Sequence, residues 1–133
     1  GAISAISPDD GTATEVACLP AGTLPFGMTH EYAGALFVIA SRSIFRLDIA
    51  RGVLDEVLEL PSALRGPSGL AEHRRGFAIT GDGGLLLSVD PLAPSRSRTT
   101  DLGDLRLFAC AYNARGDLFV ADYSSGRILS IEP

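Results

Sequence analysis

Hydrophobic and polar positions along the chain repeat in short, β-like phrases. Leu118, Phe119 and Val120 form one run of β-favouring apolar residues and Ile128 to Ile131 a second, with Ser124-Ser125-Gly126 between them to supply a turn. Strand, turn and strand follow from residue type alone. The phrase then recurs upstream. Ile6, Leu47, Val89 and Ile131 are separated by 41, 42 and 42 residues, and Ile3, Ile44, Leu86 and Ile128 keep the same spacing. Ser7, Asp48, Asp90 and Glu132 continue the register, and Pro8, Pro91 and Pro133 take the next slot, with Ile49 the exception. Leu19, Leu60 and Leu102 mark the end of another repeated segment.

A period of about 42 residues is the length of one four-stranded propeller blade. The predicted class is therefore all-β, with blades of four antiparallel strands, A to D, about three blades to the chain and half of a six-bladed ring. Residues 1–19 are expected to hold strands C and D of a split blade (Gly1 to Ser7 and Ala13 to Leu19), followed by full blades over 20–61 and 62–103. The first full blade reads as Phe26 to His30, Ala35 to Ala40, Ser43 to Asp48 and Leu54 to Leu60. The second reads as Ser68 to Glu72, Gly76 to Thr80, Gly84 to Val89 and Ser97 to Leu102, with Pro91-Leu92-Ala93-Pro94 lengthening one connection. Residues 104–133 supply A, B and C: Leu107 to Tyr112, Asp117 to Ala121 and Gly126 to Ile131.

A row of blades leaves apolar faces at its ends, and such faces need a cover. Two outcomes satisfy this. Two chains close head to tail as a homodimer into six blades, with one strand C too many at each joint, or the chain is a fragment of a longer propeller.

Composition narrows the function classes. The 133 residues are 46% hydrophobic, enough for a packed core, and no apolar run approaches the ~18 residues of a membrane helix. The N-terminus has no signal-peptide pattern, so a soluble chain is expected, without membrane association and with no compartment specified. Eleven arginines face sixteen acidic residues, a net charge of −5, and no clustered basic face is visible; nucleic acid is not an expected partner. The absence of lysine excludes Schiff-base chemistry. Cys18 and Cys110 are expected to be small buried hydrophobes rather than a disulfide or metal pair.

Pro25-Phe26-Gly27-Met28 with Leu36-Phe37-Val38, Pro67-Ser68-Gly69-Leu70, and Leu118-Phe119-Val120-Ala121-Asp122 with Arg127-Ile128 resemble the NHL-repeat propellers. More widely, they resemble the superfamily of the senescence marker protein and gluconolactonase. The Trp-Asp ending of WD40 repeats and the paired glycines of kelch blades are missing. The resemblance implies a mostly six-bladed ring. For gluconolactonase-like enzymes it also implies a divalent metal, typically calcium, held by channel-facing oxygens at the start of strand A. Here those slots hold Phe26, Ser68 and Phe108, and a phenyl ring offers no oxygen to a hard cation, so no cofactor is expected.

Two carboxylate-histidine pairs, His30-Glu31 and Glu72-His73, fall in A to B turns and read as solvated turn residues, with Asn113 in the equivalent place. Gly81-Asp82-Gly83-Gly84 lacks the helix and lysine of a phosphate loop and reads as a turn. No serine has a nucleophile-elbow context.

The expectation is a non-enzymatic scaffold or binding module whose ligand face is the rim built from the D to A and B to C loops. Ser68 would line it with the aromatics as an apolar floor, Phe26 and Phe108 among them, Arg42, Asp82 and Asp122 would supply polar contacts, and Tyr123 beside Asp122 is the best single candidate for a polar contact with a ligand. The expected partners are a second copy of the chain and a small apolar ligand or protein. Two alternatives compete with this reading: a gluconolactonase-like, metal-dependent hydrolase or lyase, which would use calcium, and a ligand-free fragment or engineered half-propeller.

Overall fold

The computed structural model describes residues 1–132, and among them thirteen strands and no α-helix are found. Every pairing is antiparallel and between strands consecutive in sequence. The chain is all-β and built of propeller-type blades. It divides into two compact units, Gly1–Glu59 and Leu60–Pro133.

In the first unit, β1 (Ala2–Ile6) and β2 (Ala13–Cys18) form a two-stranded sheet. A four-stranded sheet follows: β3 (Pro25–Met28), β4 (Ala35–Ala40), β5 (Ser43–Asp48) and β6 (Val53–Glu59). Leu19, Val38, Ala40 and Phe45 form a core with Ile3 and Leu54 packed against it. Strand A was expected to reach His30 but ends at Met28. Beyond it the Thr29 N–H still donates to the Phe37 carbonyl (2.9 Å), but the return bond goes to the side chain: the buried Thr29 hydroxyl accepts the Phe37 N–H (3.0 Å) and donates to the His30 carbonyl (2.8 Å).

In the second unit, β7 (Arg65–His73), β8 (Gly76–Asp82), β9 (Leu85–Val89) and β10 (Arg98–Asp101) make one sheet, and β11 (Leu107–Tyr112), β12 (Leu118–Asp122) and β13 (Arg127–Ile131) another. The proline-rich connection before β10 contains a single 3-10 turn, Pro94–Arg96. The two sheets pack through Ala71, Ala78, Leu86, Leu107, Leu118 and Val120, with Cys110, Tyr112, Leu129 and Ile131 at the margin. Alternation puts Ala109, Ala111, Phe119, Ala121 and Ile128 on the other face of β11–β13, with Ser130 its one polar member; Ile128 is 76% exposed.

The recurring Pro-x-Gly phrase acquires a physical meaning. Register shifts fall between Pro25 and Gly27, between Pro67 and Gly69, and between Leu107 and Ala109, so Phe26, Ser68 and Phe108 are the extra residues of three equivalent β-bulges. A bulge redirects a side chain out of the pleat. The glycine that follows Ser68 permits close packing: a Cβ on Gly69 would collide with Thr80 Oγ1 and come within 3.0 Å of Ala109 Cα and the Cys110 nitrogen. β7 and β11 therefore approach as nearly bare backbones. A second bulge, between Arg65 and Pro67, starts β7 three residues earlier than expected.

Both cysteines are free thiols, and one differs from expectation. Cys18 lies exposed at the end of β2, where its thiol donates to Glu15 (3.1 Å) and the accepting carboxylate holds its pKa above the usual thiol value. Cys110 is half-buried; burial raises its pKa, and Thr80 Oγ1 donates to its sulfur at 3.8 Å.

Candidate functional site

The loops between β8 and β9, between β12 and β13, and between β10 and β11 meet at one end of the second unit. Asp122, the last residue of β12, organises this end. Its Oδ1 accepts the Arg106 N–H (2.9 Å), the Ser124 N–H (3.1 Å) and the Ser124 hydroxyl (2.7 Å), and its Oδ2 accepts the Ser125 hydroxyl. The hydroxyls of Ser125 and Ser124, then the Arg106 amide, hold its carboxyl well below the usual carboxylate range. Asp122 is buried and ends a strand, whereas the sequence placed it in a loop as an exposed polar contact. Its carboxylate is engaged in fixing the loop.

The Arg106 carbonyl accepts the Tyr123 N–H (2.8 Å), so the main chain of Arg106 is clamped on both sides. From there its guanidinium reaches Asp82 at the end of β8, with Nε 3.2 Å from Oδ1, and lies 5.9 Å from the Tyr123 ring centroid. Phe108, directed outward by its bulge, stands 6.4 Å from the Tyr123 ring. Ser68, Asp82, Arg106, Leu107, Phe108 and Tyr123 line a depression of ≈ 340 Å³. Four of the seven residues expected from the sequence thus share one cavity, with Asp122 bracing it.

Phe26 and Arg42 belong to the first unit. Phe26 is part-exposed at its own bulge, and Arg42 is an exposed residue of the tight turn joining β4 to β5. A related clamp exists there: the Leu24 N–H donates to Ser41 Oγ and the Ser41 N–H to the Leu24 carbonyl, both at 2.8 Å.

Arg106 was missed by reasoning on sequence. Leu24, Arg65 and Arg106 are spaced by 41 residues, the repeat period, but the register was followed through apolar residues and a charged member of the series did not register. A second reading is overturned: the arginines do cluster, at the other end of these sheets, because turns far apart in sequence converge there.

The chemistry available at the depression is recognition by one cation, one carboxylate and two aromatic rings. It does not fit the calcium that the gluconolactonase resemblance implies. Ser68 Oγ donates to the Leu107 carbonyl (2.7 Å), Asp82 is occupied by Arg106, and a hard cation requires six or more oxygens. Among the described residues no group of three or more His, Cys, Asp or Glu is arranged to hold a metal. The carboxylate-histidine pairs have structural surroundings: Glu31 accepts the Gly34 N–H (3.1 Å), the His30 ring lies 4.2 Å from that of Tyr32, and the His73 ring lies 5.5 Å from that of Tyr112.

No protein-family model and no curated protein sequence matches the chain. Solved structures do. Virginiamycin B lyase from Staphylococcus aureus superposes with a TM-score of 0.74 at 16% identity, covering 98% of this chain and 48% of that one. A nidogen/laminin complex gives 0.74 at 16%, with 98% and 51% covered, and YCF48 bound to D1 peptide gives 0.67 at 13%, with 93% and 40% covered. The chain spans about half the length of these proteins. All three are β-propellers, so fold likeness extends across enzymes and binding proteins alike, and the chain has the β-propeller fold.

Proposed function

We propose that the chain is a non-enzymatic β-propeller binding module that takes a small, largely apolar ligand at the Ser68–Asp82–Arg106–Phe108–Tyr123 rim and closes into a six-bladed ring as a homodimer. The observation that carries the ligand reading is the outward-turned Phe108 beside the Arg106–Tyr123 stack. Two rings and a cation stay at the surface, Phe108 63% and Tyr123 73% exposed, although nothing in the blade's own packing requires them there. The polar groups nearby are spent on holding this arrangement, the Ser124 and Ser125 hydroxyls on the Asp122 carboxylate among them. The largely apolar outer face of β11–β13 supports the ring, since a neighbouring blade is what covers such a face in a propeller.

The likeness to virginiamycin B lyase is one of fold, so a lyase or hydrolase role draws no support from it. Titration with indole and with indole-3-acetate, followed by NMR, tests the reading. Shifts at Arg106 Nε–H and Tyr123, removed by combining Phe108→Ala with Tyr123→Ala, are expected. Shifts confined to other residues, or stoichiometric calcium or zinc in the purified protein, would turn the assignment toward the enzyme.

A further inference from the structure

The opposite end of the second unit carries a larger cleft, of ≈ 610 Å³, and its lining is dominated by one side-chain type. Arg74 and Arg75 form the hairpin turn between β7 and β8, Arg96 ends the 3-10 turn, Arg98 opens β10, and Arg115 sits in the β11–β12 turn. Asp90 is the single acidic residue of the lining. We propose that this cleft is a second binding site, for a small molecule carrying tetrahedral oxyanion groups, phosphate or sulfate, with at least two negative charges.

Three observations support it. First, among the described residues none of these five guanidinium groups is seen paired with a carboxylate, whereas Arg106 at the other end pairs with Asp82. Five cations converging on one concavity repel each other and focus a positive potential that a polyanion neutralises, and the planar guanidinium fork suits its oxygens.

Second, the cations are held on ordered supports. Asp90 Oδ1 accepts the Leu92 N–H (2.9 Å), and Arg96 N–H and Ser97 N–H bond back to the carbonyls of Ala93 (2.9 Å) and Pro94 (3.1 Å). Asn113 Oδ1 accepts the N–H groups of Arg115 and Asp117, both at 2.9 Å, while its Nδ2 donates to Asp117 (2.8 Å). The β7–β8 turn closes through the pair His73 and Gly76. Such ordering reduces what a ligand would lose in fixing the site.

Third, the fold does not require these arginines. The β3–β4 turn of the first unit carries Ala33 and Gly34 where the β7–β8 turn carries Arg74 and Arg75. Asp55 faces Arg46 in the place where Arg98 faces Ser88. Blade geometry is kept and the charge is not. Tyr112 and His73, in ring contact, give the cleft an apolar margin, and its volume suits a molecule larger than one inorganic ion.

Calorimetric titration of the purified chain at low ionic strength, with inorganic phosphate, pyrophosphate, sulfate and adenosine 5′-monophosphate, tests the site and separates free anions from esters. Pyrophosphate or the nucleotide is expected to bind one per chain and to weaken steadily with added sodium chloride. Combining Arg96→Gln with Arg98→Gln should weaken it about tenfold or more, and Arg115→Gln should do so to a lesser degree. Arg127→Gln, exposed on β13 and outside the cleft, should leave it unchanged, with melting temperatures reporting that all variants fold. Absence of saturable binding, equal weakening by Arg127→Gln, or tighter binding of a single-stranded oligonucleotide than of every small anion would overturn the proposal.

Discussion

The two ends of the second unit use arginine in contrary ways. At the end formed by the β8–β9, β10–β11 and β12–β13 loops, one arginine is clamped by its main chain, paired with Asp82 and laid beside Tyr123. At the other end five arginines line one cleft with a single aspartate among them. The same sheets support both, so the difference comes from the turns and not from the blade. A neutralised cation beside aromatic rings suits an apolar partner with one polar handle. A surplus of cations suits a partner that brings the missing negative charge.

The units differ in the same sense. The first has three arginines against eight acidic residues and the second eight against eight, so the whole net charge of −5 resides in the first unit. Overall charge therefore concealed a local basic site.

The largest expected effect comes from the core that both ends share. Leu118→Ala should cost about 2–5 kcal/mol by removing buried volume between the two sheets, and thermal melting should show both ends losing structure in one transition. Two separate transitions would mean that the ends are independent. Gly69→Ala should cost about 1–3 kcal/mol by forcing β7 from β11, and should disturb the Ser68–Leu107 hydrogen bond while leaving the arginine cleft able to bind pyrophosphate.

Acid should separate the two ends. The folded pKa of Asp122 lies below its ordinary value of 3.8, so its contribution is complete above that value and is lost as pH falls from 3.8 toward the lower folded pKa. Amide exchange across Arg106 and Ser124 should accelerate in this window. The turn containing Arg115 should respond less, and Asp122→Asn should flatten the difference.

The smallest effects concern the exposed charges. Arg106→Gln removes a pair whose side chains are 60% and 53% exposed and should lower stability by no more than about 1 kcal/mol. Arg98→Gln should leave stability unchanged or raise it by a few tenths of a kcal/mol (about 0.3) at low salt, through relief of repulsion, with the gain vanishing in high salt. Equal destabilisation by the two would show the cleft arginines to be structural.

How much of this was legible in the sequence depends on the kind of signal. The strands were readable because they are specified by apolar residues recurring with the blade period: Ala35–Ala40, Ser43–Asp48 and Leu107–Tyr112 occur with the predicted bounds. The equivalence of Phe26, Ser68 and Phe108 was readable too, since Pro-x-Gly writes the bulge into two of the three copies. The inward turn of Asp122 was hidden, because a residue at a strand end faces in or out according to a loop that only folding defines. The arginine cleft was hidden because its members lie on four separate turns and strand ends between residues 74 and 115, with no run or motif to mark them.

The homodimer proposed above requires the outer face of β11–β13 to be covered by a second copy of the chain. Sedimentation equilibrium of the purified protein measures this directly. The account predicts a species of two 13.9 kDa chains that Ile128→Asp dissociates. A stable species of one chain, unchanged by that substitution, would contradict it.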